Sequence, residues 1–553
     1  MKRWGRRPVG RQALQVILLL LAVGLVLPLG GTSARAQVRS GGTVVMLSGQ
    51  NIQSINVLFT AAGLALSAAK QVQRGLLFYD EKDEFTGELA EEVPSIKNGG
   101  ISQDRKSITY KLRKNVKWHD GKPVTSADVK FTWQAIMNPA SKVVSRYGYD
   151  QIETVDTPDP YTVVVRFKKP FAPWAILFDA IIPKHLLENE ANLAESAFNR
   201  KPIGFGPMKF VEWVSGDHIT WEANPDYFRG APKIDRFILR FVPSTEAVLN
   251  AIRAGEVEIG WGLNEPSIPQ LRQLESRGIR TIVDVIPNSH RYNFNMDQTK
   301  APLFADLMVR KAIALAINKQ DLVDKLLYGI TKPGRTEWDN TYWENKNLKA
   351  YPYDPEQAKK LLEEAGWKVG SDGIRVKGNQ RLSFTHSTYT GDQLLENVQL
   401  FVQRNLKDVG VEMKIKNVAL ATAFASFQAG GTWATGQYEM GGWFHGLRNP
   451  DPDLSFRFHS GQIPSQANPA GSQWYHYSNP QVDKLFDQQA NIFDPAERKK
   501  VIDEIQRLIY EDYPVIYLYD FTSIYAVKNT LKNFEPHAWG NFYWNIWQWE
   551  LQR

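Results

Sequence analysis

The sequence predicts an α/β protein, on three observations: short runs in which apolar and polar residues alternate, helices that carry their own start signals, and no internal repeat. Ile108, Tyr110 and Leu112 alternate with Thr109, Lys111 and Arg113, which puts one side of a strand in a core and the other in water. In Thr125-Ser126-Ala127-Asp128 the spacing is that of a capping box, and it precedes a helix bearing Val129 and Trp133. A second strand follows at Tyr161, Val163, Val165 and Phe167. Ala312, Ile313, Ala316 and Ile317 predict one helix, and Leu322, Val323, Leu326 and Leu327 the next, with a break near Asn318 and a stop at Gly329. Asp354-Pro355-Glu356-Gln357 supplies a capping acid, a first-turn proline and an amide three residues on. Ala358, Leu361, Leu362 and Ala365 then share a face, and Gly366 ends it. Val411, Met413 and Ile415 form a third alternating strand. Asn479-Pro480 and Asp494-Pro495-Ala496-Glu497 repeat the capping device, and the latter opens a helix with Val501, Ile502, Ile505, Leu508 and Ile509 on one stripe. No Gly, Ser or Pro linker cuts the chain, so its domains are expected to interleave.

Composition bounds the function. The 553 residues are 43% hydrophobic and 23% charged, enough for several domain-sized units with large cores and unlike a disordered chain. The net charge of +7 is concentrated at the start: Lys2, Arg3, Arg6, Arg7, Arg11 and Arg35 fall in the first 36 residues, and the rest carries 60 basic against 59 acidic side chains. A field that would attract nucleic acid is therefore missing. A basic start, the apolar run Ala13 to Leu29 and Ala34-Arg35-Ala36 together predict a signal peptide over 1–36, cut after Ala36. Pro8 directly after Arg6-Arg7 favours the Sec route over the twin-arginine route. With no cysteine there are no disulfides, thiolate metal sites or lipid-anchor Cys, so a periplasmic product is expected.

A search for catalytic chemistry is unproductive. Gly204-Phe205-Gly206-Pro207 lacks the third glycine of a dinucleotide loop, and Pro207 has no N–H to offer a pyrophosphate. No nucleophile elbow exists, and none of the nine histidines is paired at helical metal-site spacing. The sequence thus predicts no enzyme, no cofactor and no metal site. A secreted hydrolase with two carboxylates that meet in space stays open as the alternative.

Four stretches resemble the family 5 extracellular solute-binding proteins, the peptide, opine, nickel and oligosaccharide receptors of ABC importers. They are Leu89 to Trp133, with Tyr110 to Val129 the most specific part; Gly204 to Gly260, with Asn224-Pro225-Asp226-Tyr227 and Gly230-Ala231-Pro232; Phe294 to Asn318, then Tyr353 to Trp367; and Gly442-Trp443 to Tyr513-Pro514. Phe205 stands where the family usually has Thr. The resemblance implies a two-lobed periplasmic-binding-protein type II (Venus-flytrap) fold with an extra subdomain. On that pattern lobe I comprises 37–80, 204–287 and 515–553, the subdomain 81–203, and lobe II 288–514. It further implies a monomer that closes on a small peptide-like, opine or related solute and delivers it to permease subunits in the inner membrane; an oligosaccharide or nickel-chelate receptor is the runner-up.

In peptide-binding members a Gly-Trp pair is followed three residues later by an Asp that holds the ligand's α-amino group. Here that position is Gly446, leaving Asp451 or Asp453 to substitute. Arg448 in the same loop matches a carboxylate, and His445 a chelated metal. Trp261, Trp443 and Phe444 are candidates for stacking, and Asn51, Asn293 and Asn295 for orienting a ligand. Turn or packing roles are the structural alternatives for each.

Overall fold

The computed structural model describes residues 41–49, 51–60, 62–80, 84–446, 449–537 and 542–552, with the backbone alone at 444–446. The expected signal peptide and Arg448 lie outside the described residues. Ten strands form one mixed sheet: β1 (Thr43–Ser48), β2 (Met208–Val214), β3 (His218–Ala223), β4 (Arg236–Phe241), β5 (Ile259–Leu263), β6 (Ile279–Phe294), β7 (Ser383–Ser387), β8 (Glu412–Ile415), β9 (Met440–Gly446) and β10 (Val515–Lys528). Their order across the sheet is β8-β7-β9-β6-β10-β5-β1-β4-β3-β2. On one side β1 runs parallel to β4 and β5; on the other β7 runs parallel to β8 and β9. Parallel strands of one sheet need crossovers: helix Thr245–Ala254 lies between β4 and β5, which flank β1, and helix Gln393–Lys407 between the neighbours β7 and β8. The two parallel groups meet through the long antiparallel pair β6 and β10.

The capping signals operate as the sequence predicts. Asp354 and Asp494 each accept a hydrogen bond from the backbone N–H three residues on, at 2.9 Å, and Asn479 caps Pro480–Gln489. The helix pair's first member, Leu307–Ala316, ends just before Asn318, which caps the second, Lys319–Leu326. Asp128 closes the capping box on the Thr125 N–H at 2.9 Å and also takes the Lys184 N–H at 3.0 Å, which ties helix Ser126–Met137 to the following chain. That helix packs on a separate three-stranded sheet, Ser107–Lys111, Thr162–Phe167 and Ile152–Asp159.

Gly204-Phe205-Gly206 has a packing reason. A Cβ on Gly204 would stand 1.8 Å from the Val72 carbonyl oxygen, and one on Gly206 2.3 Å from that of Gln71. The Gly206 N–H donates to Val72 at 2.9 Å, so two backbone stretches touch directly. Phe205 is buried edge-on to Trp118 at 5.5 Å. Of the C-terminal rings, Phe542, Tyr543, Trp544 and Trp549 are buried, with Tyr543 and Trp549 against Phe237.

Burial alone pushes the Asp284 carboxyl of β6 up to about 6, and its Oδ2 makes no hydrogen bond. A carboxyl raised in the fold stabilises it when protonated, and that contribution is lost as pH rises from the unfolded value near 4 through about 6. Asp284→Asn is therefore expected to gain in melting temperature on the wild type between pH 4.5 and 7.5, as thermal unfolding at the two pH values would show; a constant difference would contradict it.

Candidate functional site

A cavity of ≈ 680 Å³ opens between residues 57–179 and residues 449–474. Leu58, Leu66, Leu77 and Ile176 make its first wall mostly apolar, with Tyr79, Phe85 and Tyr147 adding rings and Lys70, Ser145 and Asp179 its polar groups. The facing wall is polar: Asn449, Asp451, Asp453, Arg457 and Gln462, with Phe456 and Trp474. A concave space of this size with a few convergent polar groups is the usual form of a small-molecule site. The walls touch at its edge. The Tyr147 hydroxyl donates to Asp453 and its ring lies 6.5 Å from Phe456, the Ala172 N–H donates to the Ala490 carbonyl at 2.8 Å, and the Arg105 guanidinium sits 5.8 Å from the Phe493 ring.

Residues 449–453 are held from three directions. Asn449 accepts the Asp451 N–H at 3.0 Å, Asp451 that of Asp453 at 2.9 Å, and Asp453 that of Ser455 at 2.9 Å, a chain of Asx turns that the alternating Asp-Pro sequence favours. Two indoles pin the prolines: Trp338 Nε1 donates to the Pro452 carbonyl and Trp343 Nε1 to that of Pro450, each at 2.8 Å. Arg498 grips Asp451 with both terminal nitrogens, at 2.7 and 2.9 Å, and its Nε donates to Gln489, whose amide in turn donates to Asp453 at 2.9 Å. Burial and the neighbouring Asp451 hold the Asp453 carboxyl above the ordinary aspartate value, against the pull of Tyr147. Lys70 stands 3.6 Å from Asp179. Burial pulls its ammonium down, but Tyr79 and Asp179 outweigh this, and its pKa lies above the usual lysine value.

Behind Arg457 lies a buried cluster. Arg291 of β6 shares a face with Trp443 of β9 and Tyr517 of β10, its register partners. Its Nη1 pairs with Glu337, and the Arg457 Nε lies 3.7 Å from the same carboxylate. The side chains of all three are at most 5% exposed.

The candidate residues singled out in the sequence take other positions. Asn51 is exposed and bonds the next N–H at 2.8 Å. Trp261 is buried 5.0 Å from Phe542. Asn293 donates to Gly441 at 3.1 Å. Asn295 donates to Gly436 and Tyr438 and accepts from Asp297, so its amide is fully used. Trp443 is wholly buried, stacked 4.6 Å from Trp433 and 6.0 Å from Tyr475. None of these five is among the described lining residues of the cavity. Phe444 and His445 lie on β9, with side chains outside the description. Of the loop expected to serve the ligand, Asp451 and Asp453 do line the cavity. Lys70, Tyr147, Arg457 and Trp474 were missed; Arg457 lies four residues beyond the Asp-Pro run, and the others come from distant segments without a motif.

The model of bacterial extracellular solute-binding proteins, family 5, matches residues 84–465. The chain belongs to this family. The oligopeptide-binding protein AppA of Bacillus subtilis is 29% identical, over 97% of this chain and 98% of its own. The crystal structure of that AppA with a nonapeptide superposes with a TM-score of 0.75 at 27% identity, covering 93% of this chain and 100% of the other. NikZ of Campylobacter jejuni, solved with Ni(L-His), gives 0.77 at 25% identity and covers 92% and 99%. As in this family, the architecture is two-lobed α/β, and the protein binds a solute.

Arg498→Met would leave Asp451 buried without its cation. Loss of one partner of a buried ion pair costs about 3–5 kcal/mol, so chemical denaturation should register a destabilisation of that size, with an Arg498→Met/Asp451→Leu double variant recovering most of it.

Proposed function

We propose that the protein is the periplasmic solute-binding component of an ABC importer, exported by its N-terminal segment and working as a monomer that encloses one solute in the cavity. The observation that carries this reading is a ligand-sized space whose apolar wall comes from residues 57–179 and whose polar wall comes from 449–474. The lobe division taken from the sequence is retained in the proposal, with lobe I at 37–80, 204–287 and 515–553, the subdomain at 81–203 and lobe II at 288–514. Separate apolar cores favour a division of this kind, one from Leu58 to Phe205, another on β1, β3 and β4 and others around Phe294 and around Trp433, but the first half of β10, Val515 to Tyr519, packs in the cores assigned to lobe II and Leu58, Leu76 and Leu77 in that of the subdomain.

A solute held by both walls binds the closed form better than the open one, and that difference in affinity drives closure. Permease subunits in the inner membrane would recognise the closed shape, with the energy of transport supplied by ATP hydrolysis in partner subunits. No bond of the solute changes. The volume suits a molecule of drug-like size, which favours a short peptide-like compound or an opine over a long peptide. Phe444, His445 and Arg448, which precede the polar wall in the chain, are proposed to border the site, with Asn51, Trp261, Asn293, Asn295 and Trp443, which do not line the cavity, supporting the segments around it.

Ala175 lines the apolar wall, and a Trp there would occupy the space meant for the solute. Ala175→Trp is expected to lower solute affinity by about tenfold or more, a free energy of about 1.4 kcal/mol. It should also abolish the solute-induced fall in radius of gyration that X-ray scattering records for the wild type. Undiminished affinity would move the site elsewhere.

A further inference from the structure

We propose that Arg457 is a specificity-determining residue that receives a carboxylate of the solute, and that the cavity accepts an anion or a free acid while offering no acid for a free ammonium. This rests on the reading of the cavity as the capture site and deepens it.

The inference follows from how the charges around the cavity are spent. Asp451 is occupied on both oxygens by Arg498. Asp453 accepts from Ser455 and Gln489 on one oxygen and from Tyr147 on the other. Asp179 stands against Lys70. Each lining acid is thus engaged.

The basic side is different. Arg291 and Arg457 share the single carboxylate of Glu337, so this buried cluster carries two cations against one anion. The phenols of Tyr475 and Tyr517 also face the two guanidiniums. Arg457 Nε is buried and makes no hydrogen bond. Desolvation holds both guanidiniums below their ordinary pKa, the mark of a cation that its surroundings do not fully compensate. Of the two, Arg457 lines the cavity. A carboxylate placed there would balance the cluster and meet a planar fork of donors.

Three probes separate the possibilities in protein freed of bound solute by unfolding and refolding: trialanine, N-acetyl-trialanine, which keeps only the carboxylate, and trialanine amide, which keeps only the ammonium. The two acids are expected to raise the melting temperature and the amide to leave it unchanged. Arg457→Met should weaken N-acetyl-trialanine binding by about 30-fold or more, with Arg457→Lys in between. The melting temperature of ligand-free Arg457→Met should be no lower than that of the wild type, because the surplus cation is gone; a purely structural arginine would lower it. Binding of the amide as tight as that of the acid, no binding of N-acetyl-trialanine, or unchanged binding by Arg457→Met overturns the assignment. Those results leave the capture reading intact wherever some solute still closes the protein in scattering. If no probe binds and native mass spectrometry of the exported protein retains no small molecule, the capture reading falls with it.

Discussion

The antiparallel pairing of β6 with β10 is the constraint on which the rest of the architecture depends. These strands have 16 and 14 residues, and each serves both halves of the sheet. The last seven residues of β6 pair with β9, whereas the end of β10, Ile524 to Val527, pairs with β5. Neither parallel group could join the other without this pair. Its register breaks between Val285 and Ser289, where the pairing with β9 begins, and again between His290 and Arg291, inside the stretch that pairs with β9. A bulge bends a strand locally and interrupts the ladder, so the sheet is least stiff where the two halves are joined.

The same strands carry the buried charge. Arg291 follows the second register break directly and so shares a face with Trp443 and Tyr517, and that face meets Glu337 and Arg457. The cavity is therefore connected to the crossing strands by one short relay: Arg457 at the wall, Glu337 behind it, Arg291 in the sheet. Buried ions are costly unless paired, and a relay with an odd charge is sensitive to what occupies the space in front of it. Asp451 and Asp453 show the opposite arrangement, since their partners Arg498, Gln489 and Tyr147 satisfy them within the protein.

Local chemistry explains what was legible in the sequence. Each cap read from Asp354, Asn479 and Asp494 is made within three residues of the capping side chain, Asn318 at the predicted break caps the next helix in the same way, and the alternation at Ile108 to Leu112 needs only one covered face. The family segment from Tyr110 to Val129 is likewise built from turns and a capping box. The cavity was less legible because its wall depends on pairs far apart in the chain: Lys70 with Asp179, Tyr147 with Asp453, Arg291 with Glu337. No spacing rule marks such residues. Trp443 illustrates the reverse case. A tryptophan beside a binding loop suggests a stacking platform, but Gly441 leaves room for it to pack on Trp433, and the ring is entirely buried. Aromatic residues are as well suited to a core as to a ligand, and sequence alone does not show which face of β9 meets which.

The bonds between the two walls determine how strongly the empty protein favours closure. The hydrogen bonds from Tyr147 to Asp453 and from Ala172 to Ala490 each exchange water for a protein partner, so each contributes about 0.5–1.5 kcal/mol net. Together they offset only part of the entropy of fixing two large bodies. The raised Asp453 carboxyl weakens the contact further, since part of the benefit is spent on desolvating an acid. A solute with micromolar affinity, by contrast, brings about 8 kcal/mol. Closure contacts of this size hold the walls in register once they meet but leave the decision to the solute, and that division suits a receptor whose partner must distinguish loaded from empty.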